Sequence, residues 1–331
     1  MTASIGIALF PQQSDDADIL VRFADMAMYV AKQSGKNQVS YHDPDLARAS
    51  IHHFELLQSI KKGFESGEFE LYYQPKVSMR EGRVVGVEAL LRWRHPQRGL
   101  LSPAEFLEVL DASELAISAG CWVLREVVRQ ADTWRRQGIC LDVSINVSSK
   151  HFEFPDFLCD LKAALAEAPD LPRNTLEIEI GESDALRNSD YTERVISECA
   201  ALGVSCAIDD YGKQSFANSD MPRLPAHTLK LDRCIIADLL HNSADLALID
   251  GIIALATTYQ QDVVAKGIES AEHAQMLIKM GCDMAQGYGI ASPMSAREIP
   301  AWIDAYDLEL CGHQAAQRTG SSSPSDGVTK Q

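Results

Sequence analysis

A chain of 331 residues is longer than most compact domains, yet a barrel uses about 250 residues as a single unit. Apolar residues at 46% exclude wholesale disorder, and a formal charge of −17 argues against nonspecific binding to nucleic acid polymers or to anionic membrane surfaces. The eight cysteines form no CxxC pair, no apolar run reaches about 18 residues and no secretory signal opens the chain. Reduced thiols in a cytoplasmic protein, or in the cytoplasmic part of a membrane-anchored one, are therefore expected.

From the N-terminus, Thr2 to Phe10 reads as a strand and Ala17 to Gln33 as an amphipathic helix. Gly35 to Val39 reads as a turn entering another short strand. This is too little chain to bury a core alone. The runs Ala3-Ser4-Ile5-Gly6-Ile7-Ala8, Ala24-Asp25-Met26-Ala27-Met28-Tyr29 and Gly35-Lys36-Asn37 resemble the closing motifs of a GGDEF domain. The GGDEF loop itself is absent, which excludes nucleotide cyclisation by this chain. Residues 1–45 are expected to be the C-terminal remnant of such a domain and to mark an internal start in a longer protein. Residues 46–67 then form a linker helix with Phe54, Leu57, Ile60 and Phe64 on one face, 68–305 the main domain, and 306–331 a largely disordered tail.

Strand patterns follow at 69–77, 84–93, 140–147, 175–180, 204–208, 228–231 and 262–265, with Gly287 to Gly289 ending the series. Helical patterns fall at 103–110, 118–137, 155–167, 189–202, 232–238, 244–259 and 270–280. Strands alternating with helices predict a βα barrel or an open α/β sheet. Polar residues decide for the barrel. Glu88, Asn146, Glu182, Asp209, Lys230 and Gln286 come from the ends of different strands, and a barrel brings all such ends to one face. An open sheet gathers only those at its switch point.

Asp209-Asp210 is the strongest local signal, because adjacent carboxylates after the apolar run 204–208 repel one another unless water or cations neutralise them. A solvated turn is the plain alternative. Oxygen ligands of this kind suit Mg²⁺ or Mn²⁺ rather than zinc, for which the sequence shows no clustered His or Cys set.

The run Glu88-Ala89-Leu90-Leu91-Arg92-Trp93 resembles the signature of the EAL domain, a family that hydrolyses cyclic di-GMP. The likeness extends to Tyr73-Gln74-Pro75, Ser144-Ile145-Asn146, Glu182-Ser183, Asp209-Asp210-Tyr211-Gly212, Leu229-Lys230-Leu231 and Gln286-Gly287-Tyr288. The resemblance implies a TIM-like (β/α)8 barrel with one atypical antiparallel strand, homodimers, and sensory or GGDEF regions upstream in the parent protein. It also implies a Mg²⁺ or Mn²⁺ site held by Glu88, Asn146, Glu182, Asp209 and Asp210. Lys230 matches the lysine that orients the attacking water, while Gln74, Leu90, Arg92 and Gln286 match contacts to the dinucleotide.

Three departures bear on activity. The family's Ala-Glu-Gly-Val-Glu motif reads Ala265-Lys266-Gly267-Ile268-Glu269 here, so only its second glutamate, Glu269, is retained. A protonated lysine neither ligates a cation nor accepts a proton from water. The loop after Asp209 reads Lys213-Gln214-Ser215-Phe216-Ala217 and lacks the family's second glycine, and Gly181 replaces the threonine before Glu182. Recognition groups that persist where transition-state groups are lost predict binding without turnover. The leading expectation is a degenerate EAL domain that binds cyclic di-GMP as a receptor. The alternatives are a metal-dependent phosphodiesterase releasing linear pGpG, and a protein-interaction scaffold that binds neither metal nor nucleotide.

Overall fold

A computed structural model describes residues 2–33, 35–212 and 226–306. In chain order the elements are β1 (Ile5–Ile7), α1 (Ala17–Gln33), β2 (Val39–Tyr41), α2 (Pro44–Glu65), β3 (Phe69–Ser78), β4 (Arg83–His95), β5 (Gly99–Leu101) and α3 (Leu107–Ala112). Then come α4 (Leu115–Arg136), β6 (Asp142–Asn146), α5 (Ser149–Phe152), α6 (Phe157–Leu165), β7 (Leu176–Gly181), α7 (Glu182–Arg187), α8 (Ser189–Leu202) and β8 (Ser205–Tyr211). The last are β9 (Thr228–Leu231), α9 (Arg233–Ala237), α10 (Ser243–Tyr259), β10 (Asp262–Lys266), α11 (Ala271–Met280), β11 (Met284–Gln286) and β12 (Met294–Ser295).

The chain divides into two compact units, one made of Met1–Glu68 with His95–Leu115, the other beginning with Phe69–Arg94 and continuing from Ala116. In the first, β1 and β2 pair in parallel under α1. Phe23 of α1 stacks on His42 at 4.0 Å, and Tyr29 meets Phe54 of α2 edge-on at 5.9 Å. The expected strand from Thr2 to Phe10 is only three residues long, because just Ile5–Ile7 finds a partner, in Val39–Tyr41.

The second unit is a closed barrel. Strands β4, β6, β7, β8, β9, β10 and β11 run parallel in that order, and β3 closes the ring with antiparallel pairing to both β11 and β4. This is the TIM-like barrel with one antiparallel strand that the sequence predicted. Alternation along the strands sends Val87, Val143, Ile145, Ile178, Ile180, Leu229 and Leu231 into a buried layer under the helices. Helix α4 meets that layer with Leu124, Val127, Val128, Ala131 and Trp134, and the Trp134 ring stands edge-on to Tyr73 at 4.8 Å. Side chains of Asp232, Asn242 and Ser270 cap α9, α10 and α11, and those of Asp232 and Ser270 fix where the helices start after β9 and β10.

The final barrel strand is Met284–Gln286, and Gly287 to Gly289 is a loop rather than the strand expected there. A Cβ at Gly287 would stand 2.4 Å from the Ile268 nitrogen, so the segment is held by close backbone approach and not by a ladder. The short helices α5 and α7 and the two-residue β12 carry too little periodicity to be read from sequence.

Inward-pointing positions of such barrels are dominated by branched aliphatic residues. Here many of them are polar. One tier holds Lys76 of β3, Ser144 of β6, Glu177 of β7 and Thr228 of β9. Lys76 Nζ donates to Ser144 Oγ at 2.5 Å and Glu177 Oε2 at 3.0 Å, and Thr228 donates to Glu177 Oε1 at 2.6 Å. Burial alone would raise the Glu177 pKa, but Lys76 and the two hydroxyls hold it at about 2. Lys76→Met strands that carboxylate without its cation and is expected to destabilise the protein by about 3–5 kcal/mol in urea unfolding, whereas adding Glu177→Leu recovers most of the loss. A single-variant cost below about 1 kcal/mol, the level of a surface pair, would contradict this tier.

Candidate functional site

Above that tier the ring narrows onto one buried ammonium. Lys230 of β9 is fully buried and donates to Glu88 Oε2 at 2.8 Å and to Glu179 Oε1 at 2.5 Å. Gln286 of β11 donates to the same Glu88 oxygen at 2.7 Å and to Gln74 Oε1 of β3 at 3.0 Å, while Asn146 of β6 donates to Glu88 Oε1 at 2.6 Å. Strand register explains the convergence, since Gln74 lies opposite Glu88 and Asn146 opposite Glu179. Five residues singled out from the sequence, Gln74, Glu88, Asn146, Lys230 and Gln286, thus form one hydrogen-bonded cluster.

Burial lowers the affinity of Lys230 for its proton, but Glu179 and Glu88 more than offset this and hold it firmly charged. Burial also pushes Glu88 up, and the Lys230 cation reverses that and holds it below the ordinary carboxylate range. Glu179 goes the other way. Desolvation, the neighbouring Glu88 and Asp209 push it up to about 8, and its Oε2 is buried with no hydrogen-bond partner. One ammonium is shared by two buried carboxylates, which drives Glu179 toward its protonated form.

The rim carries a second cationic bridge. Lys266 Nζ, at the end of β10, donates to Asp209 Oδ1 at 2.7 Å, Asp209 Oδ2 at 2.8 Å and Asp210 Oδ1 at 2.7 Å. Successive side chains of a regular strand point to opposite faces. The β8–β9 register shifts between Ile208 and Tyr211, and Asp210 adopts φ +54°, which swings both neighbouring carboxylates onto one ammonium. Burial works against the Lys266 charge, but Asp209 outweighs it and raises the pKa, so Lys266 is a fixed cation rather than a base.

Of these side chains, Gln74, Glu88, Lys266 and Gln286 line a cleft of about 360 Å³ whose wall also includes Arg233, Glu269 and Tyr288, whereas Asn146, Asp209, Asp210 and Lys230 lie off that wall. Beside the cleft the Gly267 nitrogen donates to the Gln286 carbonyl at 2.8 Å and the Gly289 nitrogen to the Ile268 carbonyl at 2.9 Å. Glu182 opens α7, is buried, and accepts from the Gly212 nitrogen at 3.2 Å. Leu90 and Arg92 lie farther along β4 and are not on the cleft wall. Arg92 donates to the Leu91 carbonyl at 2.9 Å and lies over the Tyr72 ring at 5.6 Å. Lys213 and Gln214 lie outside the described residues. Sequence reasoning gave no role to Arg233, two residues past the Leu229-Lys230-Leu231 motif, to Tyr288, which closes the Gln286-Gly287-Tyr288 motif, or to Glu179.

As arranged, the five residues matched to metal ligands do not fit a divalent ion. Both Glu88 oxygens and both Asp209 oxygens already accept from protein donors. A dication about 4 Å from the Lys266 ammonium would meet a repulsion of about 8 kcal/mol at an effective dielectric of 20. Among the described residues, no three of these carboxylates bring oxygens within 4.8 Å of one another.

The EAL domain profile matches residues 57–293. The chain belongs to the EAL domain family. Residues 1–38 match the diguanylate cyclase GGDEF domain. The bifunctional diguanylate cyclase/cyclic di-GMP phosphodiesterase MucR of Pseudomonas aeruginosa is 35% identical over 304 residues, covering 92% of this chain and 44% of MucR. The cyclic di-GMP phosphodiesterase PdeR of Escherichia coli is 32% identical over 305 residues, covering 92% of this chain and 46% of PdeR. This EAL chain therefore spans less than half the length of these relatives. Among solved structures, the MucR phosphodiesterase in complex with c-di-GMP superposes with a TM-score of 0.69 at 34% identity, over 74% of this chain and 99% of that one. The FimX EAL domain from Pseudomonas aeruginosa bound to c-di-GMP gives 0.65 at 25% identity, over 72% and 96%.

The raised Glu179 pKa has a measurable sign. The folded protein binds a proton there that the unfolded chain releases near its ordinary value of 4.5, so this group's contribution to stability falls as pH rises from about 4.5 to about 8. Glu179→Gln removes that term. Its urea midpoint is expected to fall less between those pH limits than the wild type's, and parallel slopes would mean that Glu179 is ionised throughout.

Proposed function

We propose that the EAL domain of this chain, taken as residues 68–305, is a receptor for cyclic di-GMP with little or no hydrolysis. The observation that carries this is the Lys266 ammonium set across Asp209 and Asp210. It neutralises the carboxylates that would otherwise repel a phosphodiester, and it engages Asp209 and Asp210, two of the residues matched to ligands of Mg²⁺ or Mn²⁺. Gln74 and Gln286 line the cleft with amide groups suited to a guanine edge, and Arg233 with Lys266 supplies positive charge for the phosphates. Arg92 reaches the ligand by swinging off Tyr72. Both the MucR phosphodiesterase and the FimX EAL domain have been solved with c-di-GMP, which supports the same ligand here. A receptor acts through protein contacts, in a homodimer or with upstream regions of a longer protein. Among the described residues no helix is long and apolar enough to cross a membrane.

Calorimetry with cyclic di-GMP, run with EDTA and with Mg²⁺ or Mn²⁺, is expected to give binding that persists in EDTA and no linear product by chromatography. Lys266→Ala exposes the two aspartates to the phosphates and should weaken EDTA-resistant binding by roughly tenfold or more, the worth of a charge-assisted hydrogen bond. Lys266→Glu should abolish EDTA-resistant binding and recover measurable metal-dependent turnover. Robust hydrolysis by the unmodified chain would make it a phosphodiesterase, and absence of binding under every condition would make it a scaffold.

A further inference from the structure

The fold gathers a ligand set that the sequence did not reveal and that lies away from the cleft. Cys121 of α4, His151 of α5 and Asp160 of α6 meet on the outer, helical layer of the barrel. Cys121 Sγ is 3.7 Å from His151 Nε2 and 3.1 Å from Asp160 Oδ2, and His151 Nε2 is 3.4 Å from the same oxygen. The sequence shows no clustered His or Cys set because the three residues lie on three different helices, and helix packing brings them together.

We propose that Cys121, His151 and Asp160 form a binding site for a thiophilic divalent cation, Zn²⁺ in the first instance. A tetrahedral ion with bonds of about 2.3 Å to sulfur and about 2.0 Å to nitrogen and oxygen holds its ligands roughly 3.3–3.5 Å apart. The observed separations of 3.1, 3.4 and 3.7 Å lie close to that range and call for only small side-chain adjustments. A sulfur, nitrogen and oxygen set selects zinc-like ions over Mg²⁺. Charge also balances: the ion displaces the Cys121 proton to water, and the resulting thiolate with the Asp160 carboxylate cancels two positive charges beside a neutral imidazole. The Asp160 side chain retains 26% exposure, which leaves an entry path and a fourth position for water.

Two features at this spot are costly for packing alone. His151 is completely buried with Nε2 turned to Cys121 and Asp160, where an aliphatic side chain would carry no polar group to desolvate. Gly120 sits in the interior of α4, where glycine costs about 1 kcal/mol relative to alanine, and a Cβ there would lie 2.1 Å from His151 Nδ1. The helix thus gives up propensity to admit the imidazole, whose ring is further fixed edge-on against Phe157 at 5.2 Å. A nucleophilic role for the sulfur is disfavoured, since burial and the Asp160 hydrogen bond push the free thiol up to about 11.

The test is titration of the reduced, chelator-treated protein with Co²⁺. One equivalent is expected to produce thiolate-to-cobalt charge transfer together with the visible bands of a tetrahedral ion, both displaced by Zn²⁺. Carboxylates at the barrel mouth cannot generate the charge-transfer band, so the readout is independent of cyclic di-GMP binding. The band should vanish in Cys121→Ser. In His151→Gln the affinity should drop at least about tenfold, the loss that even outer-shell changes produce. Native far-UV circular dichroism establishes that each variant is folded, and each substitution alone tests the site. Binding of Co²⁺ without the band, or a band that survives both substitutions, would overturn the proposal.

Discussion

The barrel is organised around an ammonium with no access to water. Lys230 stands between Glu88 and Glu179, all three withdrawn from solvent, and an isolated ion in that position would carry a desolvation penalty of several kcal/mol. Its two contacts therefore fix more than one bond. They set which carboxylate ionises, they leave Glu88 as the acceptor to which Asn146 and Gln286 turn, and through Gln286 they orient Gln74. The cleft wall is shaped by a charge that the ligand does not need to touch.

Charge arithmetic connects this interior to the rim. Glu88, Glu179, Asp209 and Asp210 face only Lys230 and Lys266, so carboxyl groups outnumber the cations that meet them. In a barrel built to hold divalent metal, those anions would be left for the ion. Here most of their oxygens are committed to amines and amides of the chain, and the β8 bulge that turns Asp210 inward serves the Lys266 bridge. Local strain at Asp210 is consistent with the strain that functional sites store.

Much of this was legible in the residues. Apolar runs of strand length separated by helical periodicity defined the barrel, and polar residues at strand ends named most of the central cluster. Glu177 and Glu179 were not legible as interior groups, because Leu-Glu-Ile-Glu-Ile alternation reads as a strand with one face in water. Only ring closure turns that face inward, where Lys76 and Lys230 meet it. Lys266 was recognisable as the wrong residue for a metal site, but its hold on both aspartates required the bulge, which has no sequence signature. Cys121, His151 and Asp160 were invisible for a different reason: they share no element, and zinc-type spacing is a property of local motifs.

The Lys266 bridge also changes what the rim responds to. A diffusible cation fills its site by mass action, so the charge over Asp209 and Asp210 would follow the supply of that ion and fall when a competing chelator removed it. An ammonium tethered to β10 is present at a constant effective concentration set by a few bonds of side chain. The positive charge set over Asp209 and Asp210 is therefore written into the chain.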